Sequence, residues 1–300
     1  MPINKDLSSL PAGESRSAVV PDSNPFIGRA LAGQWLDENH EQHKNHAVEG
    51  TKFRFSMAGS CSRALAYYMT QVEETDPIDE ADAWRMGLGT MIHEALQDAC
   101  VKAFPGAETE VKVQVDGLNG SGHIDMVLYE YRDDKPWVTA VEIKSINGFG
   151  FKMAATGFKG PAEGPRRSHI QQGALGAMGV NADELIICYV AMENVSPSLA
   201  KYSDDPVFGR FTAQWTYDRA TYMKYAVDEI DRVNHVINAL ESGAVAADIE
   251  PTVERDDGLI VSITNPSNGA WILQHENEVL DSGTVWNCNY CRWQSRCSKE

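Results

Sequence analysis

The sequence predicts an α/β protein in which a mixed central β-sheet is flanked by helices. Three observations carry that expectation. Between residues 109 and 146 the apolar positions recur with period two and β-branched residues dominate, the pattern of successive strands. Helical periodicity precedes this run over 80–103 and follows it over 167–179 and 218–242. The short run Leu185-Ile186-Ile187-Cys188-Tyr189-Val190 is apolar enough for a strand covered on both faces. Helices placed before and after a group of strands call for a sheet with helices packed on it.

In chain order, residues 1–23 are rich in Ser and Pro and read as a flexible arm, with 24–300 as one domain. A helix within 25–44 would carry Phe26, Leu31, Trp35 and Leu36. His40, His43 and His46 recur every third residue, but that spacing drifts around a helix, so they read as a solvated polar segment. Ser60 is placed to cap a helix through Leu65 and Tyr68. The helix over 80–103 presents Trp84, Met86, Leu88, Ile92, Leu96 and Ala99. Strands follow at 110–116, 121–131 and 137–145, with Asn119-Gly120 as the turn of the first hairpin. A helix over 167–179, strands over 184–192 and 209–217, and a long helix over 218–242 complete the core. That last helix carries Tyr222, Ala226, Ile230, Val233, Ile237 and Leu240 on one side. Residues 252–285 read as irregular and β-containing, ahead of a short Cys-rich tail, and no internal repeat is visible.

Composition is that of a globular chain, with 43% apolar and 23% charged residues. No apolar run approaches the roughly 20 residues that cross a bilayer. Residues 1–20 lack a basic-then-apolar leader, which points to a soluble cytosolic protein without a membrane partner. The net charge of -17 speaks against a polyanionic partner in sum. Locally the balance reverses, because Lys144, Lys152, Lys159, Arg166 and Arg167 face a single acid, Glu163, in a Gly-rich stretch. Of the six cysteines, Cys100 and Cys188 fall on apolar elements and read as core residues. Clustered cysteines in a cytosolic chain suggest metal or redox chemistry rather than disulfides.

One constellation carries chemistry. Gly122-His123-Ile124-Asp125 lies on one strand and Val141-Glu142-Ile143-Lys144 on the next. Alternation puts Glu142 and Lys144 on one face, with Val141 and Ile143 turned into the core. A hairpin would bring Asp125 alongside Glu142, and two carboxylates make a hard oxygen site suited to Mg²⁺ or Mn²⁺. Such an ion lowers the pKa of a water and neutralises charge at a phosphate. Lys144 would hold or deprotonate the attacking water. Upstream, Gly87-Leu88-Gly89-Thr90-Met91-Ile92-His93-Glu94 opens or interrupts a helix whose His93 could reach the same ion. A Glu-x-Lys alone is common, and an ordinary half-buried strand pair is its plain alternative.

Taken together, Gly-x-x-x-His, Asp125, Glu142-x-Lys144 and His169-Ile170-Gln171-Gln172 resemble the motifs of RecB-type nucleases of the PD-(D/E)xK superfamily. The resemblance implies a restriction-endonuclease-like core. It implies an ion held by His93, Asp125, Glu142 and the backbone carbonyl of Ile143, with Asp125, Glu142, Lys144 and Gln172 as the catalytic set. Gln172 takes its role from the His-x-x-Gln spacing, with Gln171 as the alternative register. Where the family often has a Tyr one turn beyond that Gln, this chain has Gly176. Arg63, Lys152, Lys159, Arg166 and Arg167 are the candidates for phosphate contacts.

Cys61 far upstream and Cys288-x2-Cys291-x5-Cys297 at the tail resemble the iron–sulfur branch of these exonucleases, which includes the CRISPR-associated Cas-four proteins and the AddB nuclease domain. That likeness implies a [4Fe–4S] cluster clasping the N-terminal helical region to the tail, with a Cys₄ zinc site as the alternative. The implied protein is a Mn²⁺- or Mg²⁺-dependent deoxyribonuclease acting on DNA ends, prokaryotic or phage-encoded, with partners in recombination or CRISPR adaptation. A non-catalytic DNA-end adaptor and a zinc-stabilised interaction module are the rival classes.

Overall fold

The computed structural model describes residues 29–39, 52–156, 162–192, 211–255, 259–264, 272–275, 278–282, 288 and 291–299. The expected arm 1–23, Phe26, the three histidines His40, His43 and His46, and Lys159 lie outside them.

A first helix, α1, spans 29–39. A two-residue strand β1 (Phe53–Arg54), a 3₁₀ turn and α2 (Ser62–Met69) follow, then α3 (Glu80–Ala103). Asp79 caps α3 by accepting the Asp82 amide at 2.9 Å. The glycines of α3 do not interrupt it, contrary to one reading of the sequence. A side chain at Gly87 would collide with the Trp35 ring of α1, so that glycine seats a neighbour. Strands β2 (Glu108–Gln114), β3 (Gly120–Arg132) and β4 (Lys135–Ile146) come next. The turn between β2 and β3 is made at Gly117, with φ +80°, rather than at the expected Asn119-Gly120. Gly120 already pairs with Phe53 of β1.

The basic Gly-rich stretch after β4 contains a helix, α4 (Gly148–Thr156), which the sequence pattern does not reveal. It and α5 (Arg167–Gly179) make the crossover that a parallel neighbour to β4 requires. That neighbour is β5 (Glu184–Ala191), followed by β6 (Thr212–Asp218) and α6 (Arg219–Glu241). The sheet is mixed: β3 pairs antiparallel with β2 and β4, β4 parallel with β5, and β5 antiparallel with β6.

Both faces are covered. Ile124, Val127, Ala140, Leu185, Ile187 and Tyr189 join the core shared with α2, α5 and α6. Met126, Val141 and Ile143 pack with Leu96 and Cys100 of α3. The helix α5 lies close on the sheet because Gly173, Gly176 and Gly179 meet it every third residue. A Cβ at these positions would fall within 3 Å of side-chain atoms of Ile187, Ile124 and Val113 respectively. Gly176, the departure from the family pattern, therefore has a packing reason.

In α6 the buried positions are Tyr222, Ala226, Glu229, Val233 and Val236. Glu229 is a fully buried acid on this stripe. Arg232 meets it through two nitrogens, at 2.6 and 2.8 Å, and the Gly59 amide donates to it at 3.1 Å.

Residues 252–282, expected to be irregular and β-containing, contain a second antiparallel sheet of β7 (Thr252–Glu254), β8 (Ile260–Thr264), β9 (Ile272–His275) and β10 (Glu278–Ser282). Val253, Val261 and Ile263 form its core with Cys288. The tail ends in a short helix α7 (Gln294–Cys297) stitched to the segment after α2. The Trp293 indole donates to the Val72 carbonyl at 2.9 Å, and the Ser295 amide donates to Asp76 at 2.7 Å. No helix among the described residues is long and apolar enough to cross a membrane.

Candidate active site

The site forms where strand alternation fails. Ile124 packs under Gly176 of α5, whereas Met126, two residues on, packs on the α3 side. Asp125 sits at that break. Opposite it on β2, Glu110 has φ +51°, and the buried Gln97 of α3 holds Glu110 at 2.5 Å. Asp125 reaches across to β4 and accepts the Ile143 amide at 2.6 Å. Its other oxygen stands 3.7 Å from His93 Nδ1 of α3. The Asp125 carboxylate raises the pKa of His93, against the opposing effect of burial.

Glu142 lies on the α5 face of β4, with its Cβ against Gly173, and only 1% of its surface is exposed. Its Oε1 is 2.7 Å from Lys144 Nζ, and its Oε2 has no hydrogen-bond partner. Burial pushes this carboxyl up to about 7, Lys144 pulls it back, and Asp125 pushes it further up. Lys144 also donates to Gln172 Oε1 on α5 at 2.9 Å. His93, Asp125, Glu142, Lys144 and Gln172, drawn from α3, β3, β4 and α5, are thus brought together.

Gln172 rather than Gln171 meets Lys144. Gln171 is buried and donates to Glu254 of the second sheet at 2.6 Å. Ile143 contributes its amide to Asp125 while its side chain packs toward α3.

The basic candidates divide. Arg166 is exposed at the start of α5, and Lys152 is half-buried on α4. Arg167 is instead committed to Asp228 at 2.8 Å and Glu254 at 2.5 Å, with its guanidinium 4.8 Å over the Tyr225 ring. Arg63 is committed as well, donating to the Ile249 carbonyl at 2.7 Å and to Cys297 Sγ at 3.5 Å. Both are half-buried, and the partners that hold them lie far away in the sequence.

Sequence reasoning also missed Tyr189. This residue pairs in register with Lys144 on the neighbouring strand. Its hydroxyl accepts the Arg166 amide at 2.8 Å and lies 2.7 Å from His169 Nδ1. A Tyr inside the apolar run Leu185–Ala191, with a His opening the next-door helix, is the sequence signal for it.

The four cysteines Cys61, Cys288, Cys291 and Cys297 converge from both ends of the chain on one cavity of about 560 Å³, beside Arg63 and Trp293. Burial pushes the Cys288 thiol up to about 12 and Cys291 to about 11, with the neighbouring cysteines adding to both. Among the described residues no three His, Cys, Asp or Glu side chains stand, as placed, in a metal-binding group. The donor chemistry nonetheless suits two different ions. Glu142 offers a buried oxygen with no partner beside Asp125, a hard site, whereas the cysteine cavity offers four soft sulfurs.

No family model matches this chain, and no curated protein matches it. Among solved structures it is similar to one described as SSO0001, at 17% identity over 91% of this chain and 97% of the other, with a TM-score of 0.46. It is also similar to an alkaline exonuclease from Laribacter hongkongensis, at 14% identity over 65% of this chain and 91% of the other, with a TM-score of 0.41. The same enzyme in complex with dAMP gives 16% identity over the same shares, with a TM-score of 0.41.

Proposed function

We propose that the protein is a PD-(D/E)xK nuclease of the RecB-like type that hydrolyses phosphodiester bonds at DNA ends with the help of Mn²⁺ or Mg²⁺. One observation carries the reading: Glu142 is buried with an unpartnered oxygen, between Asp125 and a lysine fixed by Gln172. A structural acid in that position would be expected to have donors on both oxygens.

His93, Asp125 and Glu142, with the Ile143 carbonyl, are the residues that would hold the ion. When bound, it supplies charge neutralisation at the phosphate and a lowered pKa for a water. Asp125, tied to the Ile143 amide, keeps one oxygen for this purpose. Lys144 is oriented from two sides, by Glu142 and Gln172, so its ammonium can orient the attacking water and offset charge developing at phosphorus. Arg166 and Lys152 are placed to meet the backbone of the substrate, as sequence-independent contacts.

The convergence of four cysteines supports a [4Fe–4S] cluster that clasps α2 to the tail. Its role in this reading is structural, since it would join residues more than two hundred positions apart.

End-labelled linear and closed circular DNA, single- and double-stranded, incubated with Mn²⁺, Mg²⁺ or EDTA, tests the function. The reading requires shortening of linear DNA that EDTA abolishes. Tight DNA binding with no cutting under either metal would replace it with the adaptor class.

A further inference from the structure

Beyond the residues of the motif, the geometry points to Tyr189 and His169 as positioning residues for Lys144; the inference rests on the nuclease function proposed for the site. Four residues are linked in a ring, two of its links being side-chain hydrogen bonds and two being neighbouring positions on the backbone. Lys144 and Tyr189 are register partners on β4 and β5. Tyr189 Oη lies 2.7 Å from His169 Nδ1. His169 and Gln172 are three apart on α5 and therefore share a helix face. Gln172 returns to Lys144 at 2.9 Å.

The start of α5 explains why the ring is needed. Its N-cap is Arg166, which makes no side-chain cap, and its first turn has no acid. The Arg166 amide is taken instead by Tyr189, a 2%-exposed residue of the sheet. The strand neighbour of the lysine thus supplies the cap of the helix that carries the lysine's partner. The first turn of α5 is seated on β5, and Gln172, one turn further on, inherits its position from that contact. Burial pushes the His169 imidazole down to about 3, with Lys144 and Arg166 contributing, so at neutral pH the ring adds no charge beside the ammonium.

Tyr189→Phe keeps the buried ring and removes only the hydroxyl. Its kcat on linear DNA should fall by up to about 100-fold, as a misplaced catalytic group costs, with KM near wild type. His169→Ala should fall similarly, and His169→Gln, whose carbonyl can still accept from Tyr189, should recover most of the loss. Hydrogen exchange should quicken in the first turn of α5 in Tyr189→Phe. A Tyr189→Phe enzyme with wild-type kcat overturns the inference. If the wild type cuts no DNA, the nuclease reading fails, and the exchange arm still decides the clamp: unchanged exchange at 166–169 overturns it.

Discussion

Asp125 and Ile143 are joined across two strands, the carboxylate of one accepting the amide of the other at 2.6 Å. This contact fixes where β3 stops alternating and which oxygen of Asp125 remains for other work. Beside it Glu142 is left without a donor on Oε2, so the local structure stores an unmet electrostatic demand.

That demand has a pH signature in metal-free protein. The folded Glu142 carboxyl titrates at about 7, above its ordinary value of 4.5, so the folded state binds the extra proton between those limits. Stability of the metal-free wild type should therefore fall as pH rises from 4.5 to 7, by up to about 1.4 kcal/mol per unit. Glu142→Gln should lack that decline, match wild type near pH 4.5, be more stable than wild type at pH 8, and lose cleavage. Chemical denaturation at several pH values in EDTA reads the slope; parallel curves for both proteins would refute the assignment.

Arg166 and Arg167 are adjacent in sequence but should behave differently. Arg167→Ala strips a partner from Glu254 and Asp228 and should lower stability by about 3 kcal/mol. Its DNA affinity should stay near wild type. Arg166→Ala should reduce the salt dependence of DNA binding by about one phosphate contact. Denaturant midpoints and binding titrations at several salt concentrations separate the two.

Gly176 should resist enlargement. A methyl there would stand 2.9 Å from Ile124 Cδ1, so Gly176→Ala should cost about 1–3 kcal/mol, as overpacking does. Shortening the contacted side chain in Gly176→Ala/Ile124→Val should return part of it. A thermal melt of the single variant matching wild type would show that α5 has more room than its packing indicates.

Anaerobically purified protein should be brown, with absorbance near roughly 400 nm from thiolate-bound iron. Cys291→Ala should lose the colour and lower the melting temperature. Stoichiometric zinc in a colourless wild type would assign the cavity to a Cys₄ zinc site instead.

The sequence carried the elements whose periodicity was unbroken. The bounds expected for α5, 167–179, are those found, and α3 runs through both of its glycines even though they suggested an interruption. Failure came where local signals compete. The helix α4 begins Gly-Phe-Gly, which reads as loop until β4 and β5 are known to need a crossover. Glu229 falls on an apolar stripe and is tolerated only because Arg232 and the distant Gly59 amide reach it. For the site, Asp125, Glu142 and Lys144 were visible as types and spacing. The hydroxyl of Tyr189 was not, because its partner lies on another element and only folding brings them together.

The central claim is that Lys144, held between Glu142 and Gln172, assists phosphodiester hydrolysis. Single-turnover cleavage of end-labelled DNA in saturating Mn²⁺, by wild type and Lys144→Ala at matched DNA occupancy, tests it most directly. The predicted result is a rate at least about 100-fold lower in the variant, the scale expected when a transition-state charge partner is removed, with DNA affinity changed little. Cleavage by Lys144→Ala at the wild-type rate would contradict it.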